Sequence, residues 1–422
     1  MVSGEQAGRA AVAAWVTYDI GNALFFTGIV GLFFPLWVTG EMGGDDATVG
    51  YTLAAAMAIN LIAAPIVGAY SDQSRRRIPF LAIFTLLCVG ATLALGGDNL
   101  NLSLALFAVA VISLSTADIF YNAMLTQVST EENRGKIGGL GVGIGYLGAI
   151  MAVVIGLVFV DTRGYEFGFR AVGVLVLLAS LPLLVLARER TSPAKSLTPS
   201  EIARGTVDQL RSTLSIVRDF PGLGRFLFAR FWYTWVLYTA STFAVLYAIE
   251  TVKFDVGQAQ IVLLVGILVA VPSGLAWGVV VDRIGPRTTM IAVLSGWLVF
   301  AALAVAIPLL DISNQTWFGI AALGGLLVAG LWAADRPFLL RLTSEEYLGE
   351  FFGLHSMASR LGAIVGPFTW GYLSVTLGLG QPAAMLSLLG CGVIALLLIR
   401  GVSDRAVVPS EEPARDPETP LA

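Results

Sequence analysis

The chain has 422 residues, of which 56% are hydrophobic and only 13% charged, with a mean hydropathy of +0.81. A soluble domain carries about 25% charged residues, so the composition excludes an ordinary water-soluble globule and describes a polytopic membrane protein whose main partner is the lipid bilayer. The net charge of −4 points to no nucleic acid partner. Cys88 and Cys391 both lie inside apolar stretches, and His355 is the single histidine. These counts argue against a disulfide framework, a metal centre and a Ser-His-Asp site. No Gly-x-x-x-x-Gly-Lys-Ser/Thr phosphate loop occurs. The sequence therefore predicts neither an enzyme nor a cofactor.

Crossing a bilayer takes about 20 mostly apolar residues. Twelve stretches qualify: 11–38, 48–70, 78–97, 101–125, 138–160, 168–187, 223–249, 258–280, 287–308, 315–340, 351–377 and 382–401. The first begins near the N-terminus but is too long for a signal peptide, and it reads as a retained span. Span 5 is crowded with glycine at 138, 139, 141, 143, 145 and 148. Spacings of four suit close helix contact, or a contact that slides during function. Between spans 6 and 7 lies a polar segment, 188–222, read as a cytoplasmic linker with an amphipathic helix after Pro199. The expected organisation is a six-helix half at 1–187, the linker, a second six-helix half at 223–401 and a disordered cytoplasmic tail at 402–422. Of 25 Lys and Arg residues, 19 fall on the side of the termini and linker, and three (Arg163, Arg170, Lys253) on the other. The positive-inside rule then places both termini in the cytoplasm of a cell-membrane, multi-pass protein.

The two halves repeat. Gly68, Asp72 and Arg77, between spans 2 and 3, recur 210 positions on as Gly278, Asp282 and Arg287, between spans 8 and 9, with Arg75 and Arg76 in the first loop and Arg283 and Gly285 in the second. A second repeat, shifted by 214, matches nine of the twenty positions 131–150. It pairs Glu131-Glu132 with Glu345-Glu346, and Leu147-Gly148-Ala149-Ile150 with Leu361-Gly362-Ala363-Ile364. A membrane protein of two similar halves is the pattern of a transporter whose site lies at the seam.

The doubled Gly-x-x-x-Asp and arginine signature, with twelve spans and a central linker, resembles the major facilitator superfamily across essentially the whole chain. Gln73, Arg75 and Pro286 depart from the usual loop pattern. Three further segments resemble the vacuolar-effluxer-like branch, named for fungal amino-acid effluxers. They are Trp15-Val-Thr-Tyr18-Asp19-Ile-Gly-Asn22-Ala-Leu-Phe25, Tyr121-Asn122-Ala-Met-Leu-Thr, and Gly349-Glu350-Phe351-Phe352-Gly353-Leu354 leading to Gly366-Pro367. The sugar–cation symporter branch has a similar first helix and is the competing resemblance. The resemblance implies an all-α membrane fold of two pseudo-symmetric halves, with helices 1, 4, 7 and 10 lining a central cavity. It also implies a monomer.

Each of those four spans carries charge: Asp19, Asp118, Arg230 and Asp335-Arg336, with Arg360 on span 11. Charge in hydrocarbon is costly and marks a function or a partner. Asp19 and Asp118 fall at similar depth, about 12 Å from the cytoplasmic end by helix rise. Tyr18 and Asn22 flank the first, and Tyr121 and Asn122 the second. The candidate substrate or coupling-ion residues are Tyr18, Asp19, Asn22, Asp118, Tyr121, Asn122, Arg230, Trp232, Tyr233, Arg336 and Arg360. The acids could instead pair with Arg230, Arg336 or Arg360 as a gate. Asp335-Arg336 reads as structural, His355 as packed, and Trp232, Tyr233 and Trp332 as core aromatics or substrate-stacking groups.

The candidate gating loops use Gly68, Asp72, Arg76, Arg77, Gly278, Asp282, Arg283 and Arg287, with the acids accepting from a facing helix N-terminus. They read as a latch for the outward-open state. Acids on one half and arginines on the other suit an amino acid or organic anion. Coupling to protons through Asp19 or Asp118 fits, because a carboxylate removed from water can hold a proton near neutral pH. A sugar–cation symporter and a non-transporting receptor or sensor are the alternatives.

Overall fold

A computed structural model describes residues 9–74, 77–130, 134–186, 215–310, 312–343 and 347–403. Most of the predicted linker, nearly all of the tail, Arg75, Arg76 and the paired glutamates of the second repeat lie outside them. Gly68 and Asp72 belong to a helix described there by backbone alone. The described residues form twelve long helices. The first half holds α1 (Arg9–Gly40), α2 (Asp46–Ser74), α3 (Ile78–Leu93), α4 (Leu100–Val128), α5 (Arg134–Ile155) and α6 (Tyr165–Leu186). The second holds α7 (Leu223–Glu250), α8 (Val256–Ile284), α9 (Pro286–Leu309), α10 (Thr316–Arg341), α11 (Leu348–Gly371) and α12 (Gly380–Arg400). Nine are long and apolar enough to cross a membrane by composition alone. The rest are α3, with 16 residues, and α7 and α11, which carry Arg230, His355 and Arg360.

Local chemistry sets the helix ends. Asn99 caps α4, its side chain accepting from the Leu102 N–H at 3.1 Å. Asp255 and Gln258 form a capping box at α8. Gly285, at φ +82°, makes the turn from α8 to α9, and Pro286 follows where the helix has no N–H to lose. Leu275 is 81% exposed and Val185 74% exposed. Such side chains on long apolar helices face lipid rather than water.

The second repeat is physical. Gly148 lets α5 approach α1 so closely that a Cβ there would meet the Ile20 carbonyl and the Leu24 N–H. Its partner Gly362 does the same for α11 on α7, against Thr234, the Trp235 N–H and the Phe231 carbonyl. Gly141 and Gly145 also face α1, whereas Gly139 and Gly143 meet nothing. The span 5 glycines are thus sorted: one helix face is a packing seam.

Twelve helices put the start of α1 and the end of α12 on one face, called the terminal face below. On the opposite face the halves are pressed together. The Pro367 carbonyl of α11 sits where a Cβ of Gly50 would be, and Ala47 where one of Gly371 would be. The Tyr51 and Thr376 hydroxyls share a hydrogen bond of 2.5 Å. Asp46, 3% exposed, accepts from Trp370 Nε1 at 2.7 Å and from Gln381 Nε2 at 2.9 Å. Gln381 donates its other N–H to Glu250 at 2.8 Å and accepts from Thr251 at 2.7 Å. One amide therefore ties an acid of each half together.

Candidate functional site

A cavity of about 320 Å³ opens among α1, α4 and α5. Its lining runs from Phe26 to Leu125 and Gly138, near the terminal-face ends of α4 and α5. The cavity lies on the terminal-face side of the seal between the halves. Asp19 lies ten residues from the start of α1, and Asp118 ten residues from the end of α4. Each is thus about 15 Å from that face, at one level, as the spacing predicts.

Asn22 joins the two helices. Its Nδ2 donates to Asp118 Oδ1 at 2.6 Å. Asn122 turns back on its own helix, donating to the Asp118 carbonyl at 2.7 Å. Asn22 and Tyr121 flank the Asp19 carboxylate without reaching hydrogen-bond geometry, and the Asn22 Oδ1 and Tyr121 Oη are buried without a partner. Tyr121 is fixed by stacking between Trp15 (4.6 Å between ring centres) and Tyr18 (4.8 Å). Trp15 Nε1 donates to the Tyr121 carbonyl at 3.1 Å. Tyr18 turns away from the cavity, its hydroxyl 2.8 Å from that of Thr85 on α3. Gly141 and Gly145 leave room for Asp19, whose carboxylate oxygen stands 3.3 Å from where a Gly141 Cβ would lie.

The second half is arranged otherwise. Arg230, 4% exposed, forms an ion pair with Asp335, 1% exposed. Its Nε donates to the His355 carbonyl at 2.8 Å and its Nη1 to the Tyr233 hydroxyl at 3.1 Å. Tyr233 donates to Asp335, and His355 Nε2 lies 3.1 Å from the same carboxylate. Arg230, expected to meet a solute or an acid of the first half, instead pairs with Asp335. The side chain is engaged inside its own half, because Asp335 points into the bundle while Arg336, one residue on, points to another face. Arg230 and Tyr233 do not line the cavity. Nor does Trp232, which stacks on Trp235 at 5.2 Å. Trp332 lies at the edge of the cluster, 41% exposed, with the Arg230 guanidinium 6.0 Å from its ring.

Arg336 reaches the cavity from α10 and is exposed there. Arg336 acts electrostatically on Asp19, and Arg360 of α11 on Asp118. Among the described residues neither arginine, nor Asp19, forms a hydrogen bond or ion pair. Of the loop residues, Asp282 and Arg283 are exposed, and Asp282 makes no hydrogen bond among the described residues. Arg287 instead grips the end of α12, donating to the Val402 carbonyl at 2.6 Å and the Arg400 carbonyl at 2.7 Å. Arg77 likewise donates to the Ala123 carbonyl of α4 at 3.1 Å. Sequence reasoning did not single out Trp15, Phe26 or Tyr146 as cavity residues, nor Asp46, Trp370 and Gln381 as a seal.

Two six-helix halves, pressed together at one face with a cavity and charged intramembrane side chains on the other side of that contact, define a secondary transporter rather than an enzyme. The chain belongs to the Major Facilitator Superfamily, whose sequence profile matches residues 21–273 and again 226–422. It is 23% identical over 421 residues to the uncharacterized MFS-type transporter YxiO of Bacillus subtilis, covering 94% of each chain. It is 26% identical over 273 residues to Autophagy-related protein 22-2 of Aspergillus clavatus, covering 59% of this chain and 44% of that one. Among solved structures it resembles a point-mutant form of the nucleoside transporter NupG, with a TM-score of 0.69, 13% identity and coverage of 93% and 99%. A bacterial homolog of the lysosomal transporter Spinster, inward-facing and unoccupied, gives a TM-score of 0.68, 15% identity and coverage of 94% and 97%.

Proposed function

We propose that this transporter carries a small polar solute bearing a carboxylate, an amino acid or an organic anion, by alternating access between its halves. The observation that carries the reading is the separation of charge across the cavity. Asp19 and Asp118 stand on the first half, and Arg336 and Arg360 on the second, with no ion pair between them among the described residues. A zwitterion bridges such a cavity with both ends satisfied, and guanidinium groups hold carboxylates in a two-pronged geometry. The resemblance of the Trp15–Phe25 and Tyr121–Thr126 segments to vacuolar effluxers supports an amino acid. The positive-inside bias supports cytoplasmic termini in the cell membrane, which puts the cavity on the cytoplasmic side of the seal. Asp19 or Asp118 takes the coupling cation or proton. The exposed Asp282 fits a loop latch that is undone in this state.

Two measurements test the reading. The purified protein is screened by thermal shift against amino acids, organic acids, sugars and nucleosides. A true solute at 100 times its Kd stabilises the native state by about 2.7 kcal/mol. A hit confined to sugars moves the protein to the sugar–cation alternative. In proteoliposomes, Asp19→Asn is expected to abolish accumulation against a gradient while leaving solute exchange. Accumulation with unchanged pH dependence transfers the coupling role to Asp118.

A further inference from the structure

We infer that Asp19, Asn22, Asp118 and Tyr121 form a binding site for one alkali cation of the size of Na⁺. The inference rests on the transporter reading for its consequence, ion coupling, but not for the binding itself. The site is built from two helices, α1 and α4, which Asn22 already ties together at 2.6 Å. Every side-chain oxygen the four residues present is a hard donor, the kind that alkali and alkaline-earth ions take in preference to softer metals.

Two observations beyond the acidic pair point to a ligand. The Asn22 Oδ1 and the Tyr121 Oη are buried, on residues 8% and 3% exposed, and neither has a hydrogen-bond partner. A buried polar atom left unpaired is costly, and two in one cluster point to a common partner. Both residues line the cavity that holds the carboxylates, and Tyr121 flanks Asp19 directly. Tyr121 is not free to swing away, because Trp15 and Tyr18 clamp its ring from both sides.

The charge balance selects a monovalent ion. Asp118 receives the Asn22 amide N–H and lies in the field of Arg360. Asp19 forms no ion pair among the described residues; Asn22 and Tyr121 are its polar neighbours and Arg336 acts on it through space. Arg336 is exposed to solvent and screened, so the two acids keep a negative field that one monovalent cation seated between them offsets. Gly141 and Gly145 leave the Asp19 side of the site without side-chain bulk. A cation there joins α1 to α4 through oxygens that otherwise repel, so it rigidifies the first half before the solute arrives.

The test is equilibrium binding of radiolabelled Na⁺ to the purified full-length protein in detergent, with unlabelled NaCl, LiCl, KCl and choline chloride as competitors. The expected result is saturable binding of one Na⁺ per chain, displaced by NaCl and not by choline. Asp19→Asn and Asp118→Asn abolish it. Tyr121→Phe keeps the ring stack, removes one oxygen and weakens affinity on the order of tenfold. A thermal-shift gain with NaCl over choline chloride, lost in the same variants, shows that the effect is not a folding defect. Absence of saturable binding in the wild type overturns the site, as does binding that survives Asp19→Asn and Tyr121→Phe together. Failure of the site and failure of the transporter reading separate cleanly. Solute uptake with no bound Na⁺ removes only the site, and Na⁺ binding with no solute flux in liposomes removes only the function.

Discussion

The two halves carry equivalent helices and handle their buried charge in opposite ways. In the second half, Arg230, Asp335, Tyr233 and His355 satisfy one another almost wholly within the bundle. In the first, Asp19 faces a cavity with no partner among the described residues, and two neighbouring oxygens wait unpaired. One cluster is closed and the other is open. A closed ionic cluster in a membrane fixes helix orientation, since breaking it strands a charge. The cost of an open cluster is offset only if something enters it. On the proposed reading, the closed cluster of the second half serves as a rigid frame, and the open one of the first half receives the ion.

The sharpest way to break that contrast is Arg230→Ala. It leaves Asp335 as an uncompensated buried charge, and removing one partner of a buried pair costs about 3–5 kcal/mol. The expected outcome is loss of monodisperse protein in detergent or a large fall in Tm. Asp19→Asn, on the open side, should leave the Tm near wild type. Equal losses in both variants would erase the distinction between frame and receptor.

A smaller effect tests whether the halves are packed alike despite their different charges. A methyl group at Gly148 or Gly362 runs into the backbone of α1 or α7. Overpacking of this kind costs about 1–3 kcal/mol. Gly148→Ala and Gly362→Ala should lower the Tm by similar amounts, whereas Gly139→Ala, which meets open space, should not lower it.

These glycines also show what the sequence could and could not reveal. The 214-residue repeat aligns Gly148 with Gly362, and the structure gives both the same job, because identical small residues at a seam leave a periodic trace. The level of Asp19 and Asp118 was legible for a similar reason: helix rise converts residue number into depth. The partner of Arg230 was not legible. Asp335 and Arg336 are adjacent in sequence and look like a pair, yet adjacent helical residues face different ways. Asp46 was hidden more deeply. It reads as one of three acids in a short polar loop, and only the approach of Trp370 and Gln381 from the other half buries it.

That seal is the place where frame and receptor meet, and Asp46→Ala tests it. The substitution strips an acceptor from the Trp370 and Gln381 donors, but only while the opposite face is shut, since water satisfies both once it opens. Unpaired buried donors cost about 1–3 kcal/mol, so the equilibrium should move by roughly tenfold toward the state open on that face. Alkylation of a single cysteine at Val49, in a chain lacking Cys88 and Cys391, reports the change. An unchanged labelling rate would mean that the apolar contacts around Gly50 and Pro367 hold the face closed without the polar bonds.

The smallest expected effect asks which arginine of the second half belongs to the receptor rather than to the frame. Arg336 is exposed in the cavity, and Arg360 is half-buried on α11. Neither forms an ion pair among the described residues, so each is available to a solute carboxylate or to an acid of the first half. Lysine keeps the charge but loses the planar fork that holds a carboxylate with two bonds. An arginine that binds the solute should therefore lose about 1 kcal/mol on Arg→Lys, close to a single hydrogen bond, seen as a several-fold rise in solute Kd with the state balance unchanged. An arginine that closes the terminal face against Asp19 or Asp118 should behave in the reverse way, with Kd for the competent state preserved and cysteine accessibility from the two faces shifted. The geometry assigns the first behaviour to Arg336, which already lines the cavity, and the second to Arg360, which acts on Asp118 from outside it. If both variants leave Kd and accessibility unchanged, charge does not cross the cavity to the solute, and recognition falls to Trp15, Phe26, Tyr121 and Tyr146 on the first half alone.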